Sequence, residues 1–190
     1  MRPAPMRAGT SRLQVRAATA TDRLPIQRML ELYQHDLSDI WDQDLDAHGE
    51  YGYALDRYWD SDGFHPFVAT LDDRFAGFAL ANPAVRIGTH GHWMDQFFVL
   101  RKYRRGGVGA WLARSVFAAL PGRWEVGQMP DNLPAQAFWR RIIGECTAGR
   151  FKEHEVLGGA WRGVVQVFES TPVMAGATNS LGPAKGSHGP

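Results

Sequence analysis

The stretch that most constrains this chain runs from Trp93 to Leu112, WMDQFFVLRKYRRGGVGAWL. Trp93–Leu100 is apolar and aromatic apart from Asp95 and Gln96, the composition of a buried strand. Arg101–Arg105 then brings four cations within five residues. The glycines of Gly106–Gly109 open a helix over Val108–Leu120, whose positions 108, 111, 112, 116, 119 and 120 share one apolar face. A strand that runs through a glycine-rich turn into a helix N-terminus makes an anion site. The turn's N–H groups lack partners, the positive end of the helix reinforces them, and glycine lets backbone approach a phosphate closely.

The spacing excludes two common phosphate loops. No Gly-Lys-Ser/Thr ending is present, so this is not the loop of a P-loop nucleotide hydrolase. Gly107-Val108-Gly109 lacks the third glycine of a dinucleotide fingerprint. What fits is Arg104-x-x-Gly107-x-Gly109, with Phe97-Phe98-Val99 before it and Asn132-x-x-Ala135-x-x-Phe138-Trp139 after it. That series resembles the GNAT superfamily of N-acetyltransferases, of bacterial type, and the resemblance spans Leu13–Glu169. It implies an α/β fold of the acyl-CoA N-acyltransferase kind, a central mixed sheet with helices on both faces. It also implies acetyl-CoA as co-substrate and direct transfer of the acetyl group to a primary amine.

The rest of the chain reads consistently with that fold. Leu13–Ala17 alternates as a strand, and Thr21 or Asp22 caps a helix carrying Ile26, Met29, Leu30, Tyr33 and Leu37 on one stripe. Tyr51–Trp59 reads as a second helix. Phe67–Leu71 and Phe75–Ala81 flank Asp72-Asp73-Arg74 as a hairpin. Trp124–Met129 is a strand, a helix follows Asn132, and segments near Arg150–Val156 and Gly163–Glu169 close the sheet. Residues 1–12 read as a loose leader, 13–169 as the acetyltransferase domain, and the Gly-, Ala-, Ser- and Pro-rich 170–190 as a disordered tail.

The formal net charge of +1 points to neither nucleic acid nor membrane, and no apolar run has membrane-spanning length. Met1–Arg12 lacks the apolar core of a secretory signal, so a cytoplasmic protein is the expectation, and a homodimer is compatible with it. Charge is unevenly spread. Met29–Leu100 holds thirteen acids against three bases, whereas Arg101–Arg150 holds nine bases against three acids. Two ligands of opposite sign would suit such a division. A single cysteine, Cys146, excludes an internal disulfide and a cysteine-rich zinc site, and the histidines show no ligand spacing, so no metal is expected.

By the resemblance, backbone groups of Phe97, Phe98 and Val99 bind the pantetheine arm and the acetyl oxygen, with the Val99 N–H as oxyanion donor. Arg104, Arg105, Gly106, Gly107, Val108 and Gly109 form the pyrophosphate turn, and Arg101 and Lys102 are either solvated or near the outer phosphate. Asn132 contacts the pantetheine arm, caps its helix, or does both. The catalytic pattern departs twice. Trp139 stands where many members carry a tyrosine acid, and indole cannot protonate a thiolate in that way. Gly127 stands where some members carry a glutamate, with Glu125 two residues earlier on the same face. Asp95 is the preferred base, because a carboxylate in an apolar strand is costly unless paired or functional; Glu125 is the second candidate.

Cys146 lies beyond the fourth helix, which argues against an acetyl-cysteine route. Two further readings keep the turn: transfer of a longer acyl group, or an acyl-CoA-binding regulatory module. For the acceptor, Asp36–Glu50 carries six carboxylates without a Lys or Arg, followed by Tyr51, Tyr53, Tyr58 and Trp59. That pattern leads to the expectation of a cationic small molecule or peptide.

Overall fold

The structure, a computed structural model, describes residues 12–158 and 161–171. The sheet has seven strands: β1 (Leu13–Ala17), β2 (His65–Leu71), β3 (Arg74–Asn82), β4 (His92–Val99), β5 (Gly122–Gln128), β6 (Phe151–Val156) and β7 (Gly163–Ser170). Their spatial order is β1-β2-β3-β4-β5-β7-β6. The β4–β5 pair is parallel and every other pair is antiparallel, the mixed sheet that was expected. Four helices connect the strands: α1 (Arg23–Trp41), α2 (Arg57–Asp60), α3 (Val108–Ala119) and α4 (Leu133–Thr147). Nearly all of the expected leader and tail lies outside the described residues; Ser170 closes β7. Among the described residues, no helix is long and apolar enough to cross a membrane.

Alternation along the central strands divides the core between two faces. Val68, Phe78, Leu80 and Phe98 meet Ile26, Met29 and Leu30 of α1 and Tyr58 of α2 on one face. Phe67, Ala69, Ala79 and Ala81 meet Val108, Leu112 and Val116 of α3 on the other, joined by Trp139, Ile142 and Ile143 of α4. The β2–β3 hairpin turns at Asp72 and Asp73, both with positive φ (50° and 61°), the geometry that a tight hairpin demands. One expectation is corrected. Tyr51–Trp59 is not a full helix: only Arg57–Asp60 is helical, and Gly52 at φ 74° holds the preceding segment out of helical geometry.

The first connection is fixed by Asp22, 3% exposed. Its carboxylate accepts two bonds from Arg16 (2.6 and 2.9 Å) and bonds from the Thr19 N–H and hydroxyl (2.7 and 2.9 Å). The Arg16 bonds, outweighing the penalty of burial, hold this carboxyl well below the usual carboxylate range. A depressed pKa contributes stability above the unfolded value near 3.9 and loses it as pH falls through the folded one. Asp22→Asn should therefore cost about 1–2 kcal/mol at neutral pH, a figure discounted for the half-exposed Arg16. In urea melts at stepped pH, the difference from wild type should shrink below about pH 4.

Candidate active site

β4 and β5 pair only over His92–Met94 and Trp124–Val126, then diverge. At the point of divergence β4 carries a bulge: Met94 opposes Ala81 and Gln96 opposes Leu80, which leaves Asp95 as the extra residue. Beyond it the Leu100 N–H donates to the Ala76 carbonyl. By antiparallel alternation, the N–H and C=O of Phe97 and Val99 therefore point away from β3, into the gap. The Val99 carbonyl accepts from Arg104 Nε at 2.8 Å.

Two adjoining cavities occupy the gap. The smaller, about 180 Å³, is lined by Phe97, Val126–Met129, Asn132, Ala135, Phe138 and Trp139 among others. The larger, about 450 Å³, is lined by Arg86, Gln96, Leu157, Gly158 and Arg162. Trp41, Trp93, Asp95, Met129 and Trp161 belong to both. Asp95 thus stands where the two meet. Its Oδ2 accepts from the phenols of Tyr53 (2.5 Å) and Tyr58 (2.8 Å), and Asn82 Nδ2 braces the Tyr58 oxygen at 3.2 Å. Burial first, and then the charge of Asp95, push both phenols far above the ordinary tyrosine range, so they remain proton donors to the carboxylate. Neither tyrosine was singled out by sequence as a partner of Asp95. The aromatic density of Tyr51–Trp59 was the available signal.

Glu125, the second candidate, is 0% exposed and accepts from the backbone N–H groups of Arg86 (2.6 Å), Ile87 (2.9 Å) and Gly88 (2.7 Å). Burial raises its pKa, but these three bonds together with Arg123 outweigh it and hold the group below the carboxylate range. It lines neither cavity and ties down the β3–β4 loop. At Gly127 a Cβ would lie 2.2 Å from Trp93 and 2.9 Å from Trp161, so these indoles fill the place of any side chain there. Trp139 is 5% exposed and stacks edge-on to Phe97 with centroids 4.7 Å apart. Cys146 lies on the last turn of α4, not beyond that helix as expected, and it is exposed and lines neither cavity.

After β4, a 3₁₀ turn at Arg101–Tyr103 leads to Arg105 (φ 65°) and Gly107 (φ 82°), the N-cap of α3. The Trp111 N–H is the first to find a helical partner, the Gly107 carbonyl. Among the described residues, the N–H groups of Arg105 to Ala110 have no backbone acceptor. That run of free donors at a helix N-terminus, with open space around Gly107, fits a pyrophosphate. Arg104 has its guanidinium paired with Asp36 of α1 and packed 5.4 Å from the Phe98 ring. Arg101 also pairs with Asp36, at 2.9 Å. At the far side of the gap, Asn132 Oδ1 caps α4 by accepting from the Ala135 N–H at 3.2 Å, while the residue also lines the smaller cavity.

This arrangement is that of an acyl-CoA transferase, and similarity to known proteins agrees. Residues 26–144 match the model of the acetyltransferase (GNAT) family, so the chain belongs to that family and is an acetyl-CoA-dependent acetyltransferase. An acetyltransferase from Thermus thermophilus is similar in fold (TM-score 0.61, 15% identity, covering 83% of this chain and 96% of that one). So is aminoglycoside acetyltransferase AAC(6')-Ib in complex with coenzyme A (TM-score 0.59, 16% identity, 83% and 95%). The ribosomal-protein-S18-alanine N-acetyltransferase from Escherichia coli gives TM-score 0.54 at 14% identity, covering 90% and 100%. No curated protein sequence is close enough to this chain to count as a relative.

Two variants separate these roles. Gly107→Val should lower acetyl-CoA affinity at least about tenfold by calorimetry, since a branched residue resists positive φ and its side chain enters the anion's space. Far-UV circular dichroism should stay unchanged. Glu125→Gln should cost about 1–3 kcal/mol in urea and accelerate amide exchange at Arg86–Gly88. A collapse of kcat at unchanged stability would instead make Glu125 the base.

Proposed function

We propose that the protein N-acetylates a primary amine within a ternary complex, with Asp95 as the general base. The observation that carries this reading is the position of Asp95 at the junction of the two cavities, with Oδ2 saturated by two phenols. Oδ1 is thereby left to the acceptor, and the tyrosines fix the carboxylate without competing for that oxygen.

Acetyl-CoA supplies an activated acetyl group as its thioester. The N–H groups of Arg105 to Ala110 hold the pyrophosphate, and Asn132 with the gap-facing groups of Phe97 and Val99 holds the pantetheine arm. Phe98, expected among these groups, turns its backbone toward β3 and its ring into the α1-side core, and it lines neither cavity. The Val99 N–H is aimed where the acyl oxygen gathers charge. Asp95 Oδ1 takes a proton from the acceptor ammonium, directly or through one water, which frees the nitrogen lone pair. A thiol with a pKa of about 8.5 leaves readily as thiolate, so Trp139 need not replace the missing tyrosine acid. The walls formed by Phe97, Phe138 and Trp139 around a cavity of about 180 Å³ favour acetyl over a longer acyl chain.

The cationic acceptor expected from Asp36–Glu50 finds no support in the cleft. Asp36 is paired with Arg101 and Arg104, Asp46 folds its own turn with the N–H groups of His48 and Glu50, and Glu50 lies 3.9 Å from Arg28. Among the described residues, Asp95 is the one carboxylate lining either cavity.

Asp95→Asn should lower kcat by about 10²–10⁴-fold, leave acetyl-CoA affinity intact and abolish the acidic limb of the kcat/KM pH profile. Near-normal kcat at neutral pH would remove Asp95 from this role.

A further inference from the structure

The larger cavity has a charge pattern that acetyl transfer alone does not explain. It is lined by two cations, Arg86 from the β3–β4 loop and Arg162 from the residue before β7, beside the single carboxylate Asp95. Neither arginine has a carboxylate partner among the described residues. The remaining residues, 1–11, 159–160 and 172–190, contain no Asp or Glu. Arg86 is instead stacked 5.1 Å over the Trp93 ring, which orders the guanidinium and leaves its edge free for a planar anion. Its backbone is pinned to Glu125, so the loop that presents it is fixed.

The body of the cavity is aromatic. Trp93 and Trp161 meet edge-to-face with centroids 5.6 Å apart, and Trp41 closes the wall. A second polar observation points to the amine. Gln96, 8% exposed, lines this cavity next to Asp95 along β4, and its Oε1 is buried without a hydrogen-bond partner. A buried amide oxygen without a donor is costly, and an acceptor N–H would satisfy it. The cations stand apart from the turn proposed for the pyrophosphate: no residue of Arg105–Ala110 lines the cavity that holds Arg86 and Arg162.

We infer that the acceptor is an aromatic amino acid: an amine held by Asp95 and Gln96, a ring among Trp41, Trp93 and Trp161, and a carboxylate on Arg86 and Arg162. The inference rests on the N-acetyltransfer reading above. It replaces the purely cationic acceptor expected from Asp36–Glu50 with a zwitterionic one.

The test uses matched pairs that differ only in the carboxylate: phenylalanine and phenethylamine, tyrosine and tyramine, tryptophan and tryptamine, with spermidine as the cationic control. Thiol release with acetyl-CoA should give a KM at least about tenfold lower for the acid in the preferred pair. Arg86→Met/Arg162→Met should erase that preference by raising the acid's KM, leaving the decarboxylated amine and acetyl-CoA affinity unchanged. Binding of the N-acetylated products, followed by calorimetry, reads the anion site without chemistry. Arginine-dependent binding of the acid product with no turnover of any amine would refute the transfer reading and keep the anion site. Equal binding of acid and neutral products, no binding of any acid, or a preference for spermidine would overturn the inference.

Discussion

The site depends on a failure of pairing. Two parallel strands, β4 and β5, stop sharing hydrogen bonds after Met94 and Val126 although both continue. Buried backbone groups without partners are costly, so an open seam needs something to hold it apart. Side chains supply the wedge: Trp139 sits edge-on to Phe97, and Trp93 crosses over the bare backbone of Gly127. Arg104 supplies a bond, its Nε satisfying the Val99 carbonyl while its outer edge pairs with Asp36. Helix α1, the turn and the loose end of β4 are thereby joined in one polar link. The backbone groups left over in the seam, on Phe97 and Val99, are the ones proposed above to meet the acyl-CoA.

The bulge at Asp95 follows from the same opening. An extra residue in β4 lets the strand bend away from β5 and swings one side chain out of the regular alternation. A carboxylate so placed would be expensive without partners, and Tyr53 and Tyr58 supply two donors from the segment beside α1. Their phenols in turn are kept protonated by burial and by the charge they serve. One arrangement gives Oδ2 two donors and leaves Oδ1 without a hydrogen-bond partner among the described residues.

Features encoded locally were the legible ones. The strand, turn and helix of Trp93–Leu112, the Asn132 cap and the β2–β3 hairpin each lie within one continuous run, where periodicity and turn chemistry suffice. The Tyr51–Trp59 segment misled because its aromatic residues serve long-range contacts rather than a helical stripe. Tyr53 and Tyr58 reach Asp95 across separations of 42 and 37 residues. The carboxylates of Asp36–Glu50 misled for the same reason. Counting cations within that window missed Arg101 and Arg104, which meet Asp36 from 65 and 68 residues away. Arg86 and Arg162 carried no sequence signal, since each stands alone on a loop until the sheet brings both to one cavity.

These cross-chain pairs also change how the basic turn works. Four cations in Arg101–Arg105 suggest a site that attracts phosphate by side-chain charge, yet two of the three arginines there are spent on one helix carboxylate. Asp36, though desolvated, is held below the usual carboxylate range by those arginines, so it stays charged and keeps them. On the proposed reading, anion binding at the turn would then fall to oriented N–H groups, which carry no counter-charge. Side-chain cations at such a turn can be diverted to structural work, but the positive φ of Gly107 cannot be supplied as cheaply by another residue. In the proposed site the glycine turn would therefore carry the anion, while Arg104 ties the turn to Asp36 and to the Val99 carbonyl.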